Sequence, residues 1–350
     1  MFERIGIFMK YIAAKALLIV FLLAACSDQE NSRDALRYYN LGNAHVEAGR
    51  YQEGVEAYKQ AIKLKPDYAE VHSNQGLAYG ELGRHKEAIT ACQQAIKLKP
   101  NFAESYLNLG VVYEKSGRYQ EGVEAFKQAI RLNPDLAQAH NNLGLAYVNS
   151  GRNQEAIEAF KQAIKLKPDY ADAYCGLGSA YGTLGRYADA IEVYKQAIKS
   201  KPDWAMAYYN LGVAYDQLSR YPEAIEVYKQ AIKLEPDFVG AYNNLGAVYY
   251  NLGRYQEAIE AYKQAIKLKS DWADAHANLG AAYGDLGRHQ EAIEAYKQAI
   301  KLKPDSAMTH FYLGISYLSI KDKGSALEEY KILKILDPKS ANELLNLIYK

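Results

Sequence analysis

Three sets of residues in this sequence have the types and spacing to do chemistry. The first is histidine: His72, His140, His276 and His310 fall at multiples of 34 residues from one another, with His45, His85 and His289 elsewhere. Imidazole is a ready zinc ligand, but zinc needs several ligands at bonds of about 2 Å. The second set is the thiols Cys26, Cys92 and Cys175. An odd, sparse set is not a disulfide framework, and Cys92 and Cys175 stand too far apart in a periodic chain to form a bridge. The third set is the amides Asn40, Asn74, Asn108, Asn142, Asn210, Asn244 and Asn278, again in register with a 34-residue period. An amide carries both donors and acceptors. A regular row of them suits an extended polypeptide, whose backbone offers one donor and one acceptor per residue.

Cys26 has a context of its own. Lys10 and Lys15 lead into the apolar run ALLIVFLLAA over residues 16–25, and the polar stretch SDQENSRD follows the cysteine. Such a run is too short for a bilayer, which takes about 20 residues, but fits a secretory signal peptide starting at Met1 or Met9. The segment Leu23-Ala24-Ala25-Cys26 resembles the lipobox of bacterial lipoproteins. That resemblance implies removal of residues 1–25, acylation of Cys26 with palmitate-type chains, and residues 26–34 as lipidated cysteine plus a short tether. Each buried CH₂ contributes roughly 0.8 kcal/mol, so several chains anchor stably where one does not. The tether, eight residues from Ser27 to Asp34, reaches at most about 28 Å. By the same resemblance, Ser27 after the cysteine, where aspartate would mark inner-membrane retention in enteric lipoproteins, implies an outer membrane facing the periplasm over an inner one, within the cell envelope.

The elements that must position these residues are read from the period. Counting Ala35 as slot 1, nine copies of 34 residues run without a gap from 35 to 340. A fixed period of this length marks a solenoid. Slot 8 is glycine in all nine copies, and slot 20 is glycine or alanine in all nine. Small residues there let two helices approach, while leucine at slot 7, tyrosine at slot 11 and an aromatic at slot 24, each in eight copies, fill the space beside them. Slot 15 is glycine in seven copies and ends a first helix. Slot 32 is proline in eight copies and stops a second helix. The acid or amide after it, as at Asp67, Asn101 and Asp135, is expected to cap the next helix. Pro222 is expected in the first turn of a second helix, where its missing N–H costs little.

These residues closely resemble the tetratricopeptide repeat (TPR) over residues 35–340. The resemblance implies an all-α fold: a right-handed superhelical solenoid of nine helix–turn–helix repeats, with first helices lining a concave groove. Residues 341–350 read as a C-terminal capping helix, with Leu344, Leu345, Leu347 and Ile348 covering the last repeat, as solenoids require.

The periodic frame empties the chemical candidates. Every histidine stands at slot 4, 11 or 17, where other copies have tyrosine. Neighbouring slot-4 rings lie a full repeat apart, on the order of 10 Å, so no shared metal and no cofactor is expected. No phosphate loop or nucleophile elbow occurs. Cys92 is expected in the core and Cys175 at an exposed position. Signal, tether, repeats and cap occupy the whole sequence, so no enzyme activity and no small-molecule substrate are expected.

What remains is binding. With 100° per residue, slots 2, 5, 6, 9, 12 and 13 fall on the outward side of each first helix. Slot 6 holds the asparagine row, which resembles the asparagine ladder in the TPR arm of the enzyme that attaches N-acetylglucosamine to proteins. Slot 9 is mostly apolar (Leu77, Val111, Leu145, Val213, Ala247, Ala281, Ile315). Slots 5 and 9 lack the lysines and arginines with which other members of the family clamp acidic tails. Slots 2, 12 and 13 form an acidic rim: Glu70, Glu104, Asp172, Asp216, Asp274 and Asp285, with Glu47, Glu81 and Glu114, against the single base Lys115. The chain as a whole carries only +1. An acidic rim disfavours nucleic acid and suits extended, non-acidic protein segments. The expected function is a membrane-tethered adaptor in assembly or regulation of a cell-envelope complex. The alternative is a non-catalytic subunit of a glycosyltransferase or of secretion or pilus machinery.

Overall fold

The computed structural model describes residues 29–350. Residues 1–28, with the expected signal peptide and the lipid-bearing Cys26, lie outside the described residues. Every described element is helical, and the chain divides into two compact units between Pro168 and Asp169. The first unit holds α1 (residues 29–47), α2 (Tyr51–Leu64), α3 (Ala69–Glu81), α4 (His85–Leu98), α5 (Ala103–Lys115), α6 (Tyr119–Leu132), α7 (Ala137–Asn149) and α8 (Asn153–Leu166). The second holds α9 (Ala171–Thr183), α10 (Tyr187–Ser200), α11 (Ala205–Gln217), α12 (Tyr221–Leu234), α13 (Val239–Asn251), α14 (Tyr255–Leu268), α15 (Ala273–Asp285), α16 (His289–Leu302), α17 (Ala307–Ser319), α18 (Lys323–Leu336) and α19 (Pro338–Tyr349). Odd-numbered helices up to α17 are the first helices of the nine repeats; each from α3 on packs on the even-numbered helix that follows it, and in the first repeat Gly42 on α1 lies against the Tyr58 ring of α2. No described helix is long and apolar enough to cross a membrane.

The turns follow from single residues. At the end of α3, Gly83 adopts φ +70°, and the Arg84 N–H donates to the Tyr79 carbonyl at 2.9 Å, closing the helix in a glycine-based motif. Ser219 (φ 55°) and Lys321 (φ 67°) take the same left-handed conformation in the two repeats that lack the glycine. Pro222 sits in the first turn of α12 as expected.

Capping departs from expectation. The N-caps of α3, α5 and α7 are Tyr68, Phe102 and Leu136, with no side-chain cap bond. Asp67, Asn101 and Asp135 stand one residue too early, outside the cap position. Side-chain caps occur only at the C-terminal end of α2–α19, from Ser306, Asp322 and Asp337. In α19, Asp337 accepts from the Lys339 N–H at 3.1 Å and Pro338 occupies the first turn. The cap helix therefore starts before residue 341. Its buried stripe is Ala341, Leu344 and Ile348, and Leu347 stays exposed, because only that i, i+3, i+7 set faces the last repeat. At the other end, α1 already includes the first described residue, 29, and takes in residues 29–34 of the expected tether. No proline stands before Ala35 to stop it, unlike the later first helices.

The core is set by slots 8 and 24. A Cβ placed on Gly246 would meet Cε1 of Tyr262 at 2.7 Å, so only glycine lets the buried ring lie flat on α13. In the last repeat the role of the ring passes to the cap, where Leu344 fills the space over Gly314.

The slot-4 histidines pin the turns that precede them. Ring Nε2 of His72, His140, His276 and His310 donates to the slot-32 carbonyl of Pro66, Pro134, Ser270 and Pro304 at 2.9–3.0 Å. Tyr208 does the same to Pro202 at 3.2 Å, so each imidazole substitutes for a tyrosine hydroxyl. Among the described residues no group of three or more His, Cys, Asp or Glu side chains is placed to hold a metal ion.

Candidate functional site

The asparagine row lies on the outward side of the first helices, and part of its hydrogen-bonding capacity is taken by the protein itself. In the first unit, Asn74 Nδ2 donates to Tyr39 Oη at 3.2 Å and Asn108 Nδ2 to Ser73 Oγ at 3.0 Å. In the second unit, Asn244 Nδ2 donates to Tyr209 Oη at 3.1 Å and Asn278 Nδ2 to Asn243 Oδ1 at 3.3 Å. Each bond runs from slot 6 to slot 5 of the preceding repeat, so the row staples neighbouring first helices. Where slot 5 carries no oxygen the bond is missing: Asn142 follows Leu107 and Asn210 follows Cys175. Asn142 instead accepts from Asn141 Nδ2 at 3.2 Å. Asn40, in the first repeat, is exposed. A sequence pattern marks the slot; the partner at slot 5 decides what the amide does.

Slot 5 is closed off in four of the copies. Ser73, Leu107, Asn141 and Cys175 are buried; Ser73, Leu107 and Cys175 lie on helices against which the next first helix packs. Cys175, expected at an exposed position, is therefore enclosed, and burial with the nearby Asp172 charge pushes its thiol up to about 12. Cys92 is fully buried as expected, its thiol raised to about 12 by burial alone. Neither is a reactive thiolate.

The rim is less anionic than its composition. Lys99 Nζ bridges Glu70 at 2.9 Å and Lys115 Nζ bridges Glu81 at 2.9 Å. Burial opposes ionisation of Glu70, but the hydrogen bond and charge of Lys99 hold its carboxyl below the usual range. Burial raises Glu114 to about 7, against a hydrogen bond from Asn149, and its Oε1 has no partner. Burial also raises Asp216. Glu104, Asp172, Asp274 and Asp285 are exposed.

Two hollows on this face of the second unit can hold a side chain: one of about 350 Å³ over Ser179, Asn210 and Val213, and a larger one lined by tyrosines. A cavity of about 500 Å³ opens across α13–α17. Its floor is Ala277, Ala281 and Gly284 on α15, small residues at slots 5, 9 and 12 of one repeat. Tyr250 from α13 and Tyr312 from α17 wall it, and the slot-24 rings Tyr262 and Tyr296 close its base. Tyr296 and Tyr312 stack with centroids 6.4 Å apart. The Tyr250 hydroxyl donates to Asp285 at the edge, and burial first, then that bond, holds the phenol above its ordinary range. Asn278 is the one row member in the lining. Sequence reasoning passed over this site. Its signal was the coincidence of three small outward residues in one repeat with Tyr250 and Tyr312, bulky departures from the repeat, on either side.

A second regularity also went unread. Arginine at slot 16 lies over the slot-11 tyrosine ring, as Arg84 over Tyr79 at 4.5 Å and Arg254 over Tyr249 at 4.6 Å, and bridges the acid three residues on. These groups are exposed, so each pair contributes little; the stacking fixes the turn between the two helices.

Comparison with known proteins follows the same repeat. Residues 138–334, more than half of the chain, match the family model described as cilia and flagella-associated protein 70 C-terminal domain. Residues 42–83 and 76–117 match a TPR repeat model, and residues 101–169 a tetratricopeptide repeat model. No curated protein matches the chain. The solved APC/C hetero-tetramer Cut9–Hcn1 is similar at 19% identity and a TM-score of 0.53, over 90% of this chain and 76% of that one. Pseudomonas aeruginosa pilF is similar at 21% identity and a TM-score of 0.53, over 60% of this chain and 96% of that one. YrrB, titled a TPR protein with an unusual peptide-binding site, is 24% identical with a TM-score of 0.47, over 53% of this chain and 96% of that one. At these identities the first two likenesses speak to the fold.

Proposed function

The chain belongs to the tetratricopeptide-repeat family whose models it matches, the cilia and flagella-associated protein 70 C-terminal domain among them, and we propose that it is a membrane-tethered adaptor that receives extended, non-acidic polypeptide segments on the outward face of its first helices. The protein–protein interaction scaffold is the family's common role. The finer reading rests on one observation. On that face the repeat supplies half-buried or exposed apolar side chains at slot 9, amides at slot 6 and a cavity lined by tyrosines. Apolar area with a few placed polar groups is the composition of a recognition site. Asn142 and Asn210 make no bond to the preceding repeat, so their amide donors are open to a bound backbone.

The tether is carried by Cys26 and the apolar run before it, and would place the scaffold at an envelope membrane to assist assembly or regulation of a complex there. No chemistry is assigned to the chain; its helices from residue 29 onward are taken up by repeats and cap.

Membranes bearing the protein are cross-linked and the adducts of the parent compared with those of an Asn142→Ala, Asn210→Ala double variant. Loss of specific adducts, with the helical content unchanged, supports the reading; an unchanged adduct pattern overturns the role of the row. For the tether, Cys26→Ser is expected to leave the precursor unprocessed or release the protein from membranes. Unaltered processing and attachment would contradict it.

A further inference from the structure

The cavity across α13–α17 has a chemical character that the rest of the face lacks. Its walls and base are the four tyrosines 250, 262, 296 and 312, and its lining contains Asp285 as the single carboxylate with no lysine or arginine. Elsewhere on the rim, Glu70 and Glu81 are already bridged by lysines. Asp285 is exposed and accepts one hydrogen bond, from the Tyr250 hydroxyl. A carboxylate has about four acceptor directions, so most of its capacity is open to a ligand.

Aromatic faces carry negative electrostatic potential and attract cations placed over them. Asp285 adds a full negative charge at the edge of the same space. A neutral apolar side chain would fill the floor of Ala277 and Ala281 but would leave Asp285 unanswered. A planar guanidinium satisfies both parts: it lies flat on a tyrosine ring and donates two parallel N–H bonds to a carboxylate. An ammonium is a compact point charge and does not exploit a flat wall in that way. The stacked pair Tyr296 and Tyr312, with ring planes 15° apart, supplies such a wall. The volume of about 500 Å³ falls within the range of small-ligand sites, roughly 300–1,000 Å³.

We propose that this cavity is a specificity pocket for an arginine side chain of the bound polypeptide, with the guanidinium stacked on tyrosine and paired with Asp285. The proposal rests on the reading that this face receives polypeptide segments, and it adds which side chain anchors them and where.

Met308 lines the cavity, while Met206 occupies the corresponding slot three repeats earlier. The two methyl groups give a built-in probe and control. The full chain is labelled with ¹³C at methionine methyls and titrated with N-acetyl-arginine N-methylamide, its citrulline analogue and its lysine analogue. The arginine probe is expected to shift Met308 saturably and to leave Met206 in place. Citrulline has nearly the same shape without the charge and should bind on the order of tenfold more weakly, the usual worth of a charge-assisted bond. Asp285→Asn, an exposed and isosteric change, should erase the difference between arginine and citrulline. Equal binding of arginine and citrulline, equal shifts at Met206, or a difference that survives Asp285→Asn would each overturn the proposal. Lysine binding as tightly as arginine would overturn the assignment to a guanidinium. A failed titration with cross-linking of the face intact would remove the arginine pocket and leave the adaptor reading standing; loss of both would remove that reading too.

Discussion

Replacing Gly246 by alanine tests how the core positions the candidate site. The added Cβ would lie 2.7, 2.8 and 3.0 Å from Cε1, Cδ1 and Cζ of Tyr262, where ordinary contact begins at 3.4 Å. Tyr262 is only 2% exposed, so its ring has nowhere to swing and the helices must part by several tenths of an ångström. Overpacking of this kind costs about 1–3 kcal/mol. Alanine also favours a helix over glycine by up to about 1 kcal/mol, so the total alone does not isolate the clash. Gly182→Ala supplies the control. It adds the same methyl to a first helix of the same unit, at a position with nothing within 4 Å. The two variants should then differ by about 1–3 kcal/mol, with Gly182→Ala the more stable. The assay is urea unfolding followed by helical circular dichroism, comparing midpoints of the transition that both share. Helical arrays unfold in steps, so slopes must be checked before midpoints are converted to energies. Equal midpoints would refute the claim that the slot-8 glycine exists for ring packing. Because Tyr262 also forms the base of the tyrosine-lined cavity, Gly246→Ala should perturb the Met308 methyl signal while Gly182→Ala does not.

Three further outcomes follow from the side-chain chemistry. Asn108→Ala removes the donor to the buried Ser73 hydroxyl and should destabilise the first unit by about 1–3 kcal/mol, whereas Asn210→Ala, which bridges no repeats, should stay within about 0.5 kcal/mol by the same unfolding assay. Glu114, raised to about 7 by burial, binds its proton more tightly folded than unfolded. Stability should therefore fall as pH rises from the ordinary carboxyl range through 7, and Glu114→Gln should flatten that fall in unfolding midpoints measured at pH 5 and pH 8. His310 is buried, and its hydrogen bond with Glu329 at 2.5 Å raises its pKa above the ordinary value. Its stabilising contribution is complete below about 6.5 and lost as pH rises through the folded value, a loss that His310→Gln should abolish in the unfolding of the second unit.

Much of the fold was legible because the repeat is a spatial code. Glycine at slots 8 and 15 and proline at slot 32 each correspond to one local geometry, so nine copies state the same hairpin nine times. What the period did not carry was decided between copies. Capping was misplaced by one residue because the turn from Lys65 to Tyr68 is closed by backbone, with Tyr68 N–H donating to the Lys65 carbonyl. The asparagine slot was found, but its staple to slot 5 depends on which residue the previous copy holds there. Cys175 was expected to be exposed because helical angles alone ignore the neighbouring first helix that covers it. The cavity at α13–α17 was missed for a related reason: it arises where three consecutive copies differ from the repeat, and a reading that averages copies removes that difference.

The central claim is that the outward face of the first helices is where polypeptide binds. A photo-activated cross-linking residue placed at Leu145 and Val213, both at slot 9, can be compared with the same residue at Lys161 and Lys229 on second helices. The account predicts discrete adducts to the same partner from Leu145 and Val213, lost on addition of excess unlabelled parent protein, and none from Lys161 or Lys229. Adducts of equal yield from the second-helix positions, or from those positions alone, would contradict it.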